Sequence, residues 1–346
     1  MYKKNLTVIF SITLMAVMGV ASITPAFPNI QKHFGITPEQ VILLITVFTL
    51  PGIFLSPVAG MLADRFGRKT ILLPSLLLFG VAGAACFFTG NWKTLLVLRF
   101  FQGLGVSSLG SLNLTIIGDL FSGERRGAVM GYNASILSIG TASYPAIGGD
   151  LAMAGWQYPF LLPVFAIPTG LMIIFWLKNP EPEKKQNLKE YLFKTWKNIN
   201  KRTVWGLFII NILVFVVLYG AYLSYFPEMM EERLNANAFQ IGIFMSGTSI
   251  VTAIVASQIK LINRKIKPKT QLNISFILYM VSMLTFSVVG EWWHLAIPII
   301  TFGLAHGMII PGIQTLLVGF APLSERAGFM SINSMVLRIG QTTGPL

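Results

Sequence analysis

The sequence predicts an all-α membrane protein in which eleven transmembrane helices form two bundles. Three observations carry that prediction. Its 346 residues are 54% hydrophobic and only 11% charged, against about 25% charged in ordinary soluble domains, so water cannot be the solvent for most of the surface. Stretches free of Asp, Glu, Lys and Arg recur at the length of a membrane span. The basic residues, finally, gather on alternate connections.

The first span lies in 5–31, behind Lys3 and Lys4. It outlasts the apolar core of a cleavable leader and further spans follow it, so it reads as a helix. Then come 40–63, 70–92, 100–118, 127–149 and 151–177 in the first half. The second half gives 203–227, 234–259, 270–290, 292–324 and 327–337, the last continuing past Arg338. Most reach the ~20 residues with which a helix crosses about 30 Å of hydrocarbon. Helices are required because lipid offers no partner to a free backbone group.

A net charge of +13 would suit a nucleic-acid partner if the cations shared one soluble face. With the N-terminus in the cytoplasm, 21 of the 26 Lys and Arg fall in inward-facing segments and only Lys32, Lys93 and Arg233 face outward. Arg99 and Arg338 lie within helices. That bias is the positive-inside signature, and it excludes nucleic acid in favour of anionic lipid. The long polar stretch 179–202 separates residues 1–178, a six-helix bundle, from 203–346, an incomplete second bundle of helices seven to eleven. Within it, Leu188, Leu192, Trp196 and Ile199 lie at helical spacing against Lys189, Lys194 and Lys197, the pattern of an amphipathic helix on headgroups.

The halves repeat. An offset of 200 superposes Gly103 on Gly303, Arg126 on Arg326, Asn133 on Asn333, Gly140 on Gly340 and Pro145 on Pro345. Duplicated units of this kind place a transport site at their interface. In that register the second unit stops inside its fifth helix, and the expectation is a chain continuing for roughly another 40 to 50 residues to complete a 6+6 arrangement.

Four motifs carry a family resemblance. After the second span stand Gly60, Asp64, Arg65, Gly67, Arg68 and Lys69, glycines for a tight turn and cations for anionic lipid. Gly19, Pro25 and Pro28 mark the outer end of the first helix. Arg99, Gln102 and Gly103 stand together in the fourth. Gly131, Gly140, Pro145, Gly148 and Gly149 punctuate the fifth, with Tyr144 where the pattern wants another glycine. Together these resemble the major facilitator superfamily, in particular the bacterial drug/proton antiporter group. The resemblance implies a conformational latch at Gly60–Lys69 in which Asp64 helps hold an outward-open state. It further implies a link of Arg99 to proton transfer and an antiporter role for the fifth helix, where Tyr144 narrows the groove for close packing.

Charge within a bilayer is costly, so each instance marks a candidate. Arg99 either snorkels outward or couples transport. His306 is either a titrating group or a neutral histidine bonded to a neighbour, and Arg338, near mid-bilayer, needs a cavity or a partner. Because no Asp or Glu stands mid-span, the proton carriers reduce to His306, Asp150, Asp119 and Glu228. Asn113, Tyr132, Asn133, Tyr144, Tyr219, Tyr222, Tyr225 and Gln314 are candidates to line an amphipathic cavity. The lone Cys86 precludes an internal disulfide, and no spacing suits a metal, nucleotide or other cofactor, so no enzyme is expected.

The resulting expectation is a monomeric secondary active transporter in a bacterial inner membrane, exporting a hydrophobic or amphipathic small molecule against protons by alternating access. The alternatives are a symporter or uniporter importing a sugar or metabolite, and a non-transporting membrane sensor.

Overall fold

The computed structural model describes residues 2–177, 200–320 and 326–346; the amphipathic segment expected in the linker lies outside them. Among the described residues the chain crosses back and forth eleven times, all in helices. The first traverse, residues 2–34, bends at a 3-10 turn, Thr24–Ala26, where Pro25 and Pro28 remove backbone donors. The second is Pro38–Val41 with Leu43–Phe66, the third Arg68–Phe88, and the fourth Trp92–Val106 with Leu109–Leu120. The fifth is the unbroken Gly123–Ala154, and the sixth runs from Tyr158 to Trp176. The seventh spans Arg202–Val216, a π-helical turn Val217–Tyr222, and Phe226–Leu234. The eighth is Ala238–Ser257, the ninth Pro268–Ser287, the tenth runs from Trp292 to Phe320, and the eleventh is Arg326–Thr343.

Nine of these are long and apolar enough to cross a membrane. The two that fall short in apolarity are the fifth and the eleventh, and each packs a face on the opposite half of the protein, so neither needs an all-round apolar surface. The charge-free stretches underestimate several helices, among them the first, second, fourth, fifth and seventh. The seventh runs on through Glu228, Glu231, Glu232 and Arg233, and the first through Lys32. The connection expected at 60–69 is also shorter than its motif. Gly60 to Phe66 complete the second helix, and Arg68 begins the third. Only Gly67 is non-helical, and its φ of 94° lies in a region that a side chain would strain.

Buried apolar side chains form two clusters. One runs from Val8 to Leu177, joined only by Ala238 from beyond the linker, and the other from Val204 to Val336. The duplication is visible in the contacts themselves. Gly103 packs on the backbone of Phe48 and Gly303 on Thr248, and 48 and 248 differ by the same 200 positions. Likewise Gly140 meets Leu14 and Val17 of the first helix, and Gly340 meets Ile212 and Phe215 of the seventh.

Candidate functional site

The two bundles meet at one end of their helices. Where the fifth helix crosses the eighth, Gly149 lies against the backbone of Ala238 and Gly242 against Pro145, so closely that a Cβ on either would stand 2.3 or 2.2 Å from the opposing carbonyl oxygen. The Ala146 amide donates to Ser246 Oγ at 3.1 Å across the same seam. Between the first and seventh helices, Gln31 Nε2 donates to Glu228 Oε2 at 2.7 Å and Lys32 pairs with Glu231. Between the second and eleventh, the hydroxyls of Thr49 and Thr342 lie 2.9 Å apart. All these contacts sit near the 35–37, 155–157 and 235–237 connections, the seam end.

Toward the other end the bundles part. Every buried residue of the eighth helix falls between Ala238 and Thr248, whereas Ile250 and Ile254 are exposed. The fifth helix buries Gly140, Tyr144, Pro145, Gly148, Gly149 and Ala152 in its second half, but 122–128 and Tyr132 are exposed and a Cβ on Gly131 would meet nothing within 4 Å. The ring of Tyr144 is buried beside Gly140, and next to it the fifth helix meets the eighth at Pro145 and Gly149 and the first at Gly148.

Three of the ionisable candidates fall inside single bundles. Arg99 is fully buried. Its guanidinium donates to the carbonyls of Leu44 at 3.2 Å and Gly19 at 3.1 Å and to Gln102 Oε1 at 2.5 Å, with its centre 4.1 Å from the Phe48 ring. No carboxylate accompanies it, and this inward geometry is not snorkelling. His306 Nδ1 bonds Tyr279 Oη at 2.6 Å in an aromatic cluster with Phe302, the bonded arrangement weighed from the sequence. Asp119 accepts from Arg68 Nε at 3.2 Å at the mouth end, so it belongs with the motif between the second and third helices. Lys69 reaches the Ile174 carbonyl at 3.4 Å, and Arg65 lies over the Phe66 ring. The side chains of Gly60 and Asp64 lie outside the described ones.

Asp150 is exposed at the seam end, and Glu228 bridges the bundles. Arg338 also lies between them. Its stem runs along Gly52 of the second helix, whose missing Cβ would stand 3.0 Å from Arg338 Cδ, and its Nη1 donates to Gln341 Oε1 at 3.1 Å.

The cavity candidates divide. Asn113 and Asn133 share a network inside one bundle, Asn113 Nδ2 donating to Thr13 Oγ1 at 2.7 Å and the Ile9 carbonyl at 3.0 Å, with Thr13 bonded to Asn133 and Asn113 Oδ1 left without a partner among the described residues. Tyr222 is buried between Phe226 and Phe302 rings. Tyr132, Tyr225 and Gln314 are exposed, and Tyr219 is half-buried on the π-helical turn. Sequence reasoning missed Asn211, which donates to Asn333 at 2.8 Å. A polar residue mid-span in FIINILVFVV was the signal available. Gln31 and Glu231 carried no local signal.

The family model of the Major Facilitator Superfamily matches residues 9–345. The chain belongs to this family of transporters. Among curated superfamily members, the Bacillibactin exporter of Bacillus subtilis (strain 168) is 30% identical over 99% of this chain and 88% of its own length. Multidrug resistance protein 1 of the same strain is 27% identical over 100% and 90%. Quinolone resistance protein NorA of Staphylococcus aureus is 25% identical over 99% and 88%. Solved superfamily structures share the fold. A bacterial homologue of the human lysosomal transporter Spinster, in an inward-facing and unoccupied conformation, superposes with a TM-score of 0.81 at 18% identity, covering 98% of this chain and 80% of that one. The D-xylose-proton symporter gives 0.75 at 14% identity, covering 99% and 88%.

Proposed function

We propose that this transporter exports an amphipathic small molecule in exchange for protons, rocking its two bundles about the seam. The observation that carries the reading is the one-sided seam. Bundles joined at one end and parted at the other form one of the two states that alternating access requires. The mouth end carries Arg65, Arg68, Lys69, Arg125, Arg126, Lys201, Arg202, Lys260, Arg264, Lys265, Lys267 and Lys269, so the positive-inside rule turns the mouth toward the cytoplasm of a bacterial inner membrane. The exporters among the relatives support outward transport of solutes in the class of a siderophore, a quinolone or other drugs.

Proton coupling rests on the seam as well. Of the four candidate carriers, Asp119 is paired at the mouth, Asp150 is exposed, and His306 is bonded inside one bundle. Glu228 alone accepts its hydrogen bond from the opposite bundle. Opening the seam removes that donor, so the proton affinity of Glu228 depends on which state the bundles occupy. Arg99 cannot carry a proton, because a guanidinium stays charged. Its part is to fix a positive charge among the first, second and fourth helices.

Flux into and out of proteoliposomes under an imposed pH gradient tests the reading. Solute leaving the cytoplasmic-equivalent side against inward proton flow is expected. Co-movement of solute and protons would make the protein an importer, and ligand binding without flux would make it a sensor.

A further inference from the structure

We propose that Arg338 is the recognition point for an organic anion, a carboxylate or phenolate carried by an amphipathic substrate. The proposal rests on the transporter reading and names the substrate class of its site. Thr49 and Thr342 join the bundles across the second and eleventh helices, and Gly52 and Arg338 lie one turn further along each helix in the direction of the mouth. The guanidinium therefore sits where the seam ends and the space between the bundles begins.

Among the described residues it has no counter-charge there. Among the described residues its partner is the neutral Gln341, with the Tyr219 phenol near enough to act on it electrostatically. The acidic residue nearest Gly52 in the chain is remote. Along the second helix Asp64 lies twelve residues beyond Gly52, roughly 18 Å. A guanidinium cannot relieve its cost by losing a proton, and in a low dielectric it calls for an anion. Four of its five N–H donors remain beyond the one given to Gln341, in the fork that matches a carboxylate.

Arg99 gives the contrast. It is fully buried inside one bundle, where its Nε and Nη1 donate to two carbonyls and an amide oxygen and its plane faces an aromatic ring, while its Nη2 has no partner among the described residues. Around Arg338 the backbone makes room for the arginine itself. Gly52 is a residue whose side chain would collide with the arginine stem. Tyr219 is carried on the π-helical turn Val217–Tyr222, an irregularity found often at functional sites, and Gly220 of that turn packs on Gly344 of the eleventh helix. The turn thus carries a phenol within electrostatic reach of the cation, a second donor available to a bound anion.

The test uses the full chain in detergent with probes matched in apolar area: naphthoate, its neutral methyl ester, a naphthyltrimethylammonium salt, and inorganic sulfate. Naphthoate is expected to raise the apparent thermal stability in a dose-dependent way and the others to do so far less. Arg338→Gln should weaken naphthoate binding at least about tenfold, and Arg338→Lys should recover part of it. Gly52→Val, which displaces the arginine without altering its charge, should weaken it too and decides the matter if Arg338→Gln fails to fold. Wild-type naphthoate affinity in Arg338→Gln, or equal stabilisation by the ester, the ammonium salt or sulfate, overturns the proposal. In proteoliposomes, transport of the cation but not of naphthoate overturns it while leaving the transporter reading intact. Naphthoate held at Arg338 with no solute moved does the reverse.

Discussion

The two halves share a backbone plan but spend their buried charge differently. In the first bundle a cation, Arg99, is sealed at zero exposure, and the position 200 residues on is Ile299, a packed apolar residue. In the second the cation is Arg338, on the face that meets the other bundle, and its counterpart is Ser138, whose hydroxyl merely returns to the Ala134 carbonyl. Duplication copied the packing, Gly103 with Gly303 and Gly140 with Gly340, and left the charges to diverge. The glycine contacts are therefore the common scaffold, and the arginines are where the halves differ.

That division can be broken at its strongest point first. A buried cation without a carboxylate costs stability, and replacing such a group by an apolar one of similar length is often neutral or stabilising. Arg99→Met is accordingly expected to cut transport roughly a hundredfold, the equivalent of about 2.7 kcal/mol. Its melting temperature in detergent should hold or rise. A collapse in thermal stability with transport scaled to the surviving protein would make Arg99 a scaffold residue after all.

Next in size is the seam. Gly242→Val drives a side chain into the Pro145 carbonyl, so the bundles cannot close at that end, and flux should fall by at least about tenfold. The direct readout is a crosslink between cysteines placed at 31 and 228 in a Cys86→Ala background, expected to form readily in the parent and poorly with Gly242→Val. Unchanged crosslinking would show that the seam does not depend on the glycine approach.

Glu228→Gln sharpens the coupling reading. An amide keeps a hydrogen bond to Gln31 but cannot gain or lose a proton, so gradient-driven flux should drop about tenfold while solute exchange at equal pH persists. Loss of both to the same degree would assign Glu228 to the seam's structure only. The smallest effect compares the polar cores. Asn133 serves two partners, Thr13 and Asn113, whereas Asn333 serves Asn211. Asn133→Ala should destabilise by about 2 kcal/mol and Asn333→Ala by about 1 kcal/mol in denaturation of the purified protein.

Much of this architecture was legible in the sequence because lipid enforces it. Hydropathy marks the spans, and the 200-residue offset marks the duplication, which the approach of Gly303 to the Thr248 carbonyl repeats against that of Gly103 to the Phe48 carbonyl. The site was less legible. Asn113 and Asn133 looked like cavity polar groups, and they hydrogen-bond to each other inside one bundle, because a buried amide finds a partner in a nearby helix. Glu228 and Arg338 could be flagged as charges, but not as seam residues, since their neighbours Gln31 and Gly52 are nearly two hundred or more positions away and nothing local announces them. Helix ends misled for a related reason. A charge-free criterion stops at Glu228, although the helix continues to Leu234 with its carboxylates turned toward the other bundle.

The weak apolarity of the fifth and eleventh helices has a consequence for how the chain is made. A segment such as Gly123–Ala154, with Glu124, Arg125, Arg126 and Asp150 near its ends and serines along its length, gains little by entering lipid alone. It must leave the insertion machinery beside helices already waiting to cover its polar face. The first bundle would therefore be assembled around a late-committing fifth helix, and the same dependence returns at the eleventh, where the partners include the opposite bundle.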